Sequence, residues 1–158
     1  MGLRTPTIWM RLIAAGQLIG SILGLVVSAM MLSLPDVRYS TAWSVLIPST
    51  FAMSAGYQLW RNKPMGIEMS IMVQFLQTVE VARPYTYELR LGPAVRLLVE
   101  NLSFEIAPSI DTSIFFGSAR AASPYAFAIN VTAVMSFFYL FYYWMKHKNL
   151  SDAPASEI

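Results

Sequence analysis

Polar side chains recur at helical spacing along the otherwise apolar stretch from Pro64 to Ala82. At 3.6 residues per turn, they fall within about a third of the helix circumference. Hydroxyl, amide and carboxylate groups in such surroundings need hydrogen-bond partners, and in a membrane they normally face the interior of a helix bundle. This polar stripe consists of Gly66, Ser70, Gln74, Gln77 and Glu80.

Two kinds of chemistry fit the polar stripe. Together with polar residues of other apolar segments, it can line a cavity for a lipid or another amphiphile, with Tyr85 and Tyr87 as a lid. Alternatively, the amides bond to one another and leave no cavity, since interhelical amide bonds commonly serve packing. The candidate cavity residues are Gln17, Ser70, Gln74, Gln77, Glu80 and Asn130.

Reactive groups at catalytic spacing are scarce. The single histidine, His147, lies in a basic tail, and the chain has no cysteine. The HExxH, GxSxG, P-loop and paired-histidine motifs do not occur. Asp111 and Glu105 are typical of a charged loop beside a strand. We therefore expect a non-enzymatic protein without a metal site or a cofactor.

Composition favours a membrane protein. Hydrophobic residues make up 56% of the 158 residues, and charged residues make up only 13%. Uncharged, mostly apolar runs of more than about 18 residues signal membrane-spanning helices. Three such runs occupy 12–35, 39–60 and 121–145.

With the polar-striped segment, these runs predict an all-α membrane protein with four transmembrane helices. The whole chain, residues 1–158, would form a single integral membrane domain. The first helix is expected to start at Thr5 and Pro6, and the last at Ser123 and Pro124. The predicted helices span about 6–34, 41–61, 64–82 and 124–146.

Small residues recur every four positions in the first apolar run. A face of this kind lets the backbone of another helix approach closely, so that dispersion contacts hold the two helices together. It predicts helix packing, either with a helix of the same chain or with a second copy of the chain. The helix-packing residues are Gly16, Gly20, Gly24 and Ser28.

Residues 83–120 differ from the apolar runs because their pattern changes to alternation. From Tyr85 to Leu91 the alternation is strict, which favours a strand. Gly92–Pro93 and Pro108 then predict turns, giving a small antiparallel β-meander of three strands inserted between helices 3 and 4. The alternative is a helix from Pro93 through Asn101, whose apolar residues also fit a helical face.

Basic residues near the predicted helix ends give an orientation. With four crossings, the arginines and lysines of both tails and of the 61–63 turn share one side. The positive-inside rule then places both termini in the cytoplasm and residues 83–120 on the outer side of the cell membrane, with a bacterial inner membrane favoured. The net charge of +2 is scattered, which gives no support to nucleic-acid binding.

Three functions fit these patterns. The first is a structural or accessory subunit, or a docking element, of a membrane assembly, in contact with the lipid bilayer and with a protein partner or a second copy of the chain. The second is a lipid- or amphiphile-binding protein with a polar-lined cavity. The third is an oligomeric pore or membrane-disrupting effector assembled through the glycine face.

Overall fold

A computed structural model describes residues 7–34, 39–81, 85–100, 103–118 and 127–151 of the chain. In this part, helices and strands are interleaved along the sequence. The four helices are α1 Ile8–Ser33, α2 Tyr39–Trp60, α3 Pro64–Leu76 and α4 Val131–Ser151. The four strands are β1 Val79–Val81, β2 Tyr85–Glu100, β3 Ser103–Ser118 and β4 Phe127–Asn130.

The predicted all-α fold with four transmembrane helices is wrong, because the chain forms a mixed α/β structure. Within the described residues, α1 alone is long and apolar enough to cross a membrane. α3 has 13 residues, which extend about 20 Å and cannot cross a hydrocarbon core of about 30 Å. In α2 and α4, serine, threonine, tyrosine and tryptophan stand among the aliphatic residues. The mean hydropathy of these helices is therefore lower than the lack of charged residues in the apolar runs suggested.

The predicted topology changes with the fold. Cytoplasmic placement of both termini and outer placement of residues 83–120 required four crossings, and a multi-pass arrangement is not supported. The apolar helix near the N-terminus, Ile8–Ser33, is consistent with association with a membrane.

α3 ends at Leu76 rather than at residue 82. Gln77 closes the last turn, with its N–H 3.2 Å from the Val73 carbonyl. The following segment, Val79–Val81, forms β1, since β-branched valines favour extended backbone. The polar stripe is therefore divided between a helix and a strand, with Glu80 in the strand.

α4 begins at Val131 rather than at residue 124. Residues 127–130 form β4, and Asn130 caps the helix by accepting a hydrogen bond from the Ala133 N–H at 3.0 Å. Periodicity alone cannot distinguish so short an apolar strand from a buried helical turn. The expected start residues, Thr5, Pro6, Ser123 and Pro124, lie outside the described part of the chain.

One long β-hairpin replaces the predicted three-stranded meander. β2 and β3 pair in continuous antiparallel register from Tyr85 opposite Ser118 to Glu100 opposite Ser103. The strand predicted from Tyr85 to Leu91 is confirmed as the first half of β2. The second half is also strand, so the alternative helix from Pro93 is wrong.

Neither proline in the hairpin ends its strand. Pro108 lies in β3, the outermost strand of the described sheet, where a missing N–H removes no ladder bond. Pro93 lies between the residues of β2 that pair with β1 and those that pair with β4. Each position tolerates proline for a reason that depends on the neighbouring strands and not on local sequence.

The sheet curls because β2 has two neighbours on one side. The strand order is β1-β4-β2-β3, and β1 also pairs directly with β2 at Val81 and Tyr87. The face of β2 that carries Leu89 and Leu91 packs on a cluster of α2 and α3 side chains that includes Ala52. The helices therefore cover this face of β2, and Glu88, Arg90 and Arg96 lie on the opposite face.

The small-residue face of α1 is used within the chain. Gly20, Gly24 and Ser28 are buried, and Gly16 is half-buried. The most extensive helix contact of α1 is with α2. At Gly56 of α2, an added Cβ would lie 3.1 Å from the Ala14 carbonyl oxygen, so the two helices are in close contact there.

The helices bury several polar side chains beside their apolar core and expose many large apolar side chains. Buried polar side chains include Gln17, Ser49 and Ser70, whereas Trp9 and Phe75 are 61% and 62% exposed. In soluble proteins the interior is the apolar part. The exposed apolar side chains of the helices therefore resemble a surface that lipid or another protein covers.

The contact at Gly66 predicts a difference between two glycines. An added Cβ at Gly66 would lie 2.3 Å from the Leu59 backbone nitrogen, whereas at Gly16 it would meet no atom within 4 Å. We expect Gly66→Ala to lower the free energy of unfolding by about 1–3 kcal/mol, as overpacking does. Gly16→Ala should leave it unchanged or raise it by up to about 1 kcal/mol. Thermal unfolding in one detergent checks both variants, and equal Tm values would contradict this contact between α2 and α3.

Candidate functional site

A cavity of about 160 Å³ lies between α1, the end of α3, the start of α4 and β2. Its described lining combines apolar side chains with amides and hydroxyls. The apolar part consists of Trp9, Leu12, Ile13, Gly16, Leu91, Pro93 and Ala133. The polar part consists of Gln17, Gln74, Gln77, Asn130, Thr132 and Ser136.

The structure brings several of the predicted cavity residues together. Gln17, Gln74, Gln77 and Asn130 all line the cavity. Ser70 lies beside them, and its hydroxyl donates to Gln17 Oε1 at 2.9 Å. This bond joins α3 to α1 and holds the side-chain amide of Gln17 in place.

Gln17 and Gln77 each have a buried amide nitrogen without a partner. The two residues are only 2% and 5% exposed, and neither Nε2 atom has a hydrogen-bond acceptor among the described residues. In Gln17, the side-chain oxygen accepts a hydrogen bond from Ser70, and the nitrogen has no partner. A buried donor without an acceptor costs about 1–3 kcal/mol, so an acceptor placed in the cavity would offset that cost.

Asn130 and Thr132 have structural roles in the cavity wall. Asn130 caps α4 through the bond to the Ala133 N–H, and Thr132 Oγ1 accepts a hydrogen bond from the Val95 N–H at 3.0 Å. These two bonds fix the start of α4 against β2. They shape the cavity, whose lining also includes Gln17 and Gln77.

Glu80, predicted as part of the polar stripe, lies in a separate ion cluster and is 1% exposed. The Nη2 and Nε atoms of Arg90 lie 2.8 and 3.0 Å from Glu80 Oε2. Arg96 Nη1 lies 3.6 Å from the same oxygen, and Arg90 Nη1 lies 3.4 Å from Glu88 Oε1. Two arginines and two glutamates thus balance their charges and tie β1 to β2.

Sequence reasoning did not single out Arg90 and Arg96 as candidate functional residues. Both residues are 9% exposed. The signal that could have found them is parity: even-numbered residues of β2 share one face, opposite Leu89 and Leu91. A strand with charges on one face and leucines on the other is buried on both faces only when the charges pair.

Tyr87, predicted as part of a lid, anchors β2 to the end of α3. Its hydroxyl donates to the Leu76 carbonyl at 2.5 Å, and its ring packs on the cluster that contains Leu89. Burial, and then the charge of Glu80, raises the pKa of Tyr87 above its ordinary value of 10.0, so the hydroxyl stays protonated as a donor at neutral pH. Tyr87 is not among the described lining residues, and the side chain of Tyr85 lies outside the described part of the structure.

In the described ranges, which omit 1–6, 35–38, 82–84, 101–102, 119–126 and 152–158, no group of three His, Asp or Glu side chains could hold a metal ion. The polar groups that line the cavity are neutral amides and hydroxyls, among them the amides of Gln17 and Gln77. No protein-family model, no curated protein and no solved structure matches this chain.

The ion cluster predicts a large effect on stability. In Arg90→Met, Glu80 loses the partner whose nitrogens lie 2.8 and 3.0 Å from its carboxylate, and we expect the free energy of unfolding to fall by about 3–5 kcal/mol, as when a buried ion pair loses one partner. The control is Arg61→Met at an exposed position, where the loss should stay below about 1 kcal/mol. Chemical unfolding of the two variants measures both, and a similar loss in each would show that the Glu80 contact is not buried as described.

Proposed function

We propose that this is a non-enzymatic, membrane-associated protein that binds part of an amphiphile in the cavity between α1, α3 and α4. The observation that carries the proposal is the pair of buried amide nitrogens of Gln17 and Gln77, which lack acceptors in a cavity with largely apolar walls. Small-molecule sites generally combine such walls with a few placed polar groups. An amphiphile offers both an apolar chain and a polar group at one end.

The outer surfaces of the helices support a membrane location. Trp9, Ile47, Phe75 and Met135 lie on four different helices and are 61%, 64%, 62% and 69% exposed. Soluble monomers rarely expose apolar patches of large extent. α1 has 26 residues, about 39 Å in length, which is enough to cross a hydrocarbon core of about 30 Å.

The cavity has room for part of a lipid. Its volume of about 160 Å³ corresponds to about five water molecules at liquid density. Trp9 and Leu12 line it and are 61% and 56% exposed, so these side chains connect it with the outer surface of α1. The remainder of the amphiphile would lie along that surface among the bilayer chains.

Filling the cavity should remove the ligand. Because an added Cβ at Gly16 meets no atom within 4 Å, the side chain of Gly16→Leu can extend into the cavity. We expect the wild-type protein, extracted from membranes in mild detergent, to retain an amphiphile in native mass spectrometry, and Gly16→Leu to retain about tenfold less. Val26→Leu, on the exposed side of the same helix, is the control and should retain it. A wild-type protein that carries no amphiphile would contradict the proposal.

A structural or accessory subunit of a membrane assembly is the second candidate. It is favoured by an aromatic series on α4, in which Phe137 lies 5.4 Å from Phe138 and 5.9 Å from Phe141, measured between ring centroids. Phe138 is 62% exposed, and aromatic residues of this kind are enriched at protein interfaces. The pore hypothesis has less support, because the Gly20, Gly24 and Ser28 face is buried within one chain.

The second candidate predicts a companion protein in native membranes. We expect it to co-purify with the wild-type chain after mild solubilisation, and Phe138→Ser to reduce its recovery because the aromatic surface of α4 is interrupted. Met72→Ser, at a 57% exposed position of α3, is the control and should leave recovery unchanged. A lone monomer from all three chains, under conditions that preserve other complexes, would count against an accessory role.

A further inference from the structure

Among the residues that line the cavity, the fully buried side-chain atoms without a partner are hydrogen-bond donors. Gln17 Nε2 and Gln77 Nε2 are both amide nitrogens, and each carries two N–H groups. The oxygen of Gln17 already accepts a bond from Ser70 at 2.9 Å. The group that complements these two nitrogens is therefore an acceptor, whereas an ammonium group, which only donates, does not fit.

The acceptor is neutral, because the cavity offers no countercharge. No lysine, arginine, aspartate or glutamate is among the described residues that line it. The buried cations closest in sequence to the lining, Arg90 and Arg96, lie 2.8 and 3.6 Å from the Glu80 carboxylate, which balances part of their charge. A carboxylate or a phosphate would lose its hydration without gaining an opposite charge, which costs far more than burying a neutral oxygen.

The walls around the donors suit a short stretch of acyl chain. Leu12, Ile13 and Ala133 line the cavity together with Gln17 and supply apolar surface that suits methylene groups. Gly16 also lines the cavity, and an added Cβ there would meet no atom within 4 Å. A carbonyl oxygen with methylenes attached to its carbon matches both parts of the cavity.

We propose that the cavity binds the neutral acyl carbonyl of an ester-linked glycerolipid, with Gln17 Nε2 and Gln77 Nε2 as donors, a proposal that rests on the amphiphile-binding function given above. The ester carbonyl lies between the glycerol and the acyl chain. The first methylenes of that chain enter the cavity, and the remaining chain and the head group stay in the bilayer beside α1. Recognition is thus directed at the linkage and leaves the head group unspecified.

A pair of lipids that differ only in the linkage tests the proposal. Delipidated protein is incubated with phosphatidylcholine carrying two ester-linked oleoyl chains, or with its dialkyl ether counterpart, and the adducts are measured by native mass spectrometry. We expect about tenfold more adduct with the ester lipid, since the ether lacks the carbonyl oxygens. Oleate at pH 8 is the third probe and should bind less than the ester lipid.

The outcomes separate the two levels of the proposal. Equal adducts with ester and ether lipids, or tighter binding of oleate, overturn carbonyl recognition and leave amphiphile binding standing. No adduct with any of the three probes overturns amphiphile binding itself. The comparison uses the wild-type chain, so it is decisive whether or not any variant folds.

Substitutions then identify the donors. We expect Gln17→Met and Gln77→Met to lower ester-lipid binding to the ether-lipid level, because methionine has a similar length and no N–H. Gln58→Met is the matched control, since Gln58 is half-buried on α2 and donates to Ser54 Oγ at 3.4 Å, away from the cavity. A preference for the ester lipid that persists in both cavity variants would overturn the assignment of the donors.

Discussion

The contact between Glu80 and Arg90 is the interaction on which the junction of helices and sheet depends. Glu80 lies in β1, shortly after the end of α3, and is only 1% exposed. Its carboxylate lies 2.8 Å from the Arg90 guanidinium. A buried pair of this kind adds little net stability relative to apolar residues of the same size, yet separating its partners is costly. Arrangements in which α3 continues as a helix past Leu76 would carry Glu80 away from Arg90. The pair therefore favours the chain path in which β1 lies on β2.

The position of the cavity follows from that chain path. Because α3 ends at Leu76, Gln77 lies at the junction of helix and sheet and lines the cavity. The cap of α4 by Asn130 and the Thr132 bond to β2 form another wall. The buried charges of the ion cluster pair with one another. The buried amide nitrogens of Gln17 and Gln77 have no acceptor among the described residues. In the proposed function, a ligand that brings an acceptor but no charge would satisfy these donors.

The candidate site was predictable where the signal was local. Ser70 and Gln74 are four residues apart on one turn of α3, so helical geometry alone places them on the same face. The prediction failed at Glu80, because it assumed that the helical period continued. Arg90 and Arg96 were missed since a charged residue in a strand is normally exposed, and only a partner from another strand makes its burial possible.

By itself, the sequence determined the character of each segment: the apolar α1, the turn at residues 61–63, the polar side of α3 and the alternation in the first half of β2. These features depend on backbone periods of 3.6 and 2 residues, which are readable over one or two turns. Only the tertiary structure decided where α3 ends, that β2 and β3 form one hairpin through two prolines, and which polar groups find partners. Those outcomes depend on residues distant in the chain, such as Gln17 and Ser70, which are 53 positions apart. A polar side chain in an apolar segment shows that a partner is needed, but the fold determines whether that partner is another residue or a ligand.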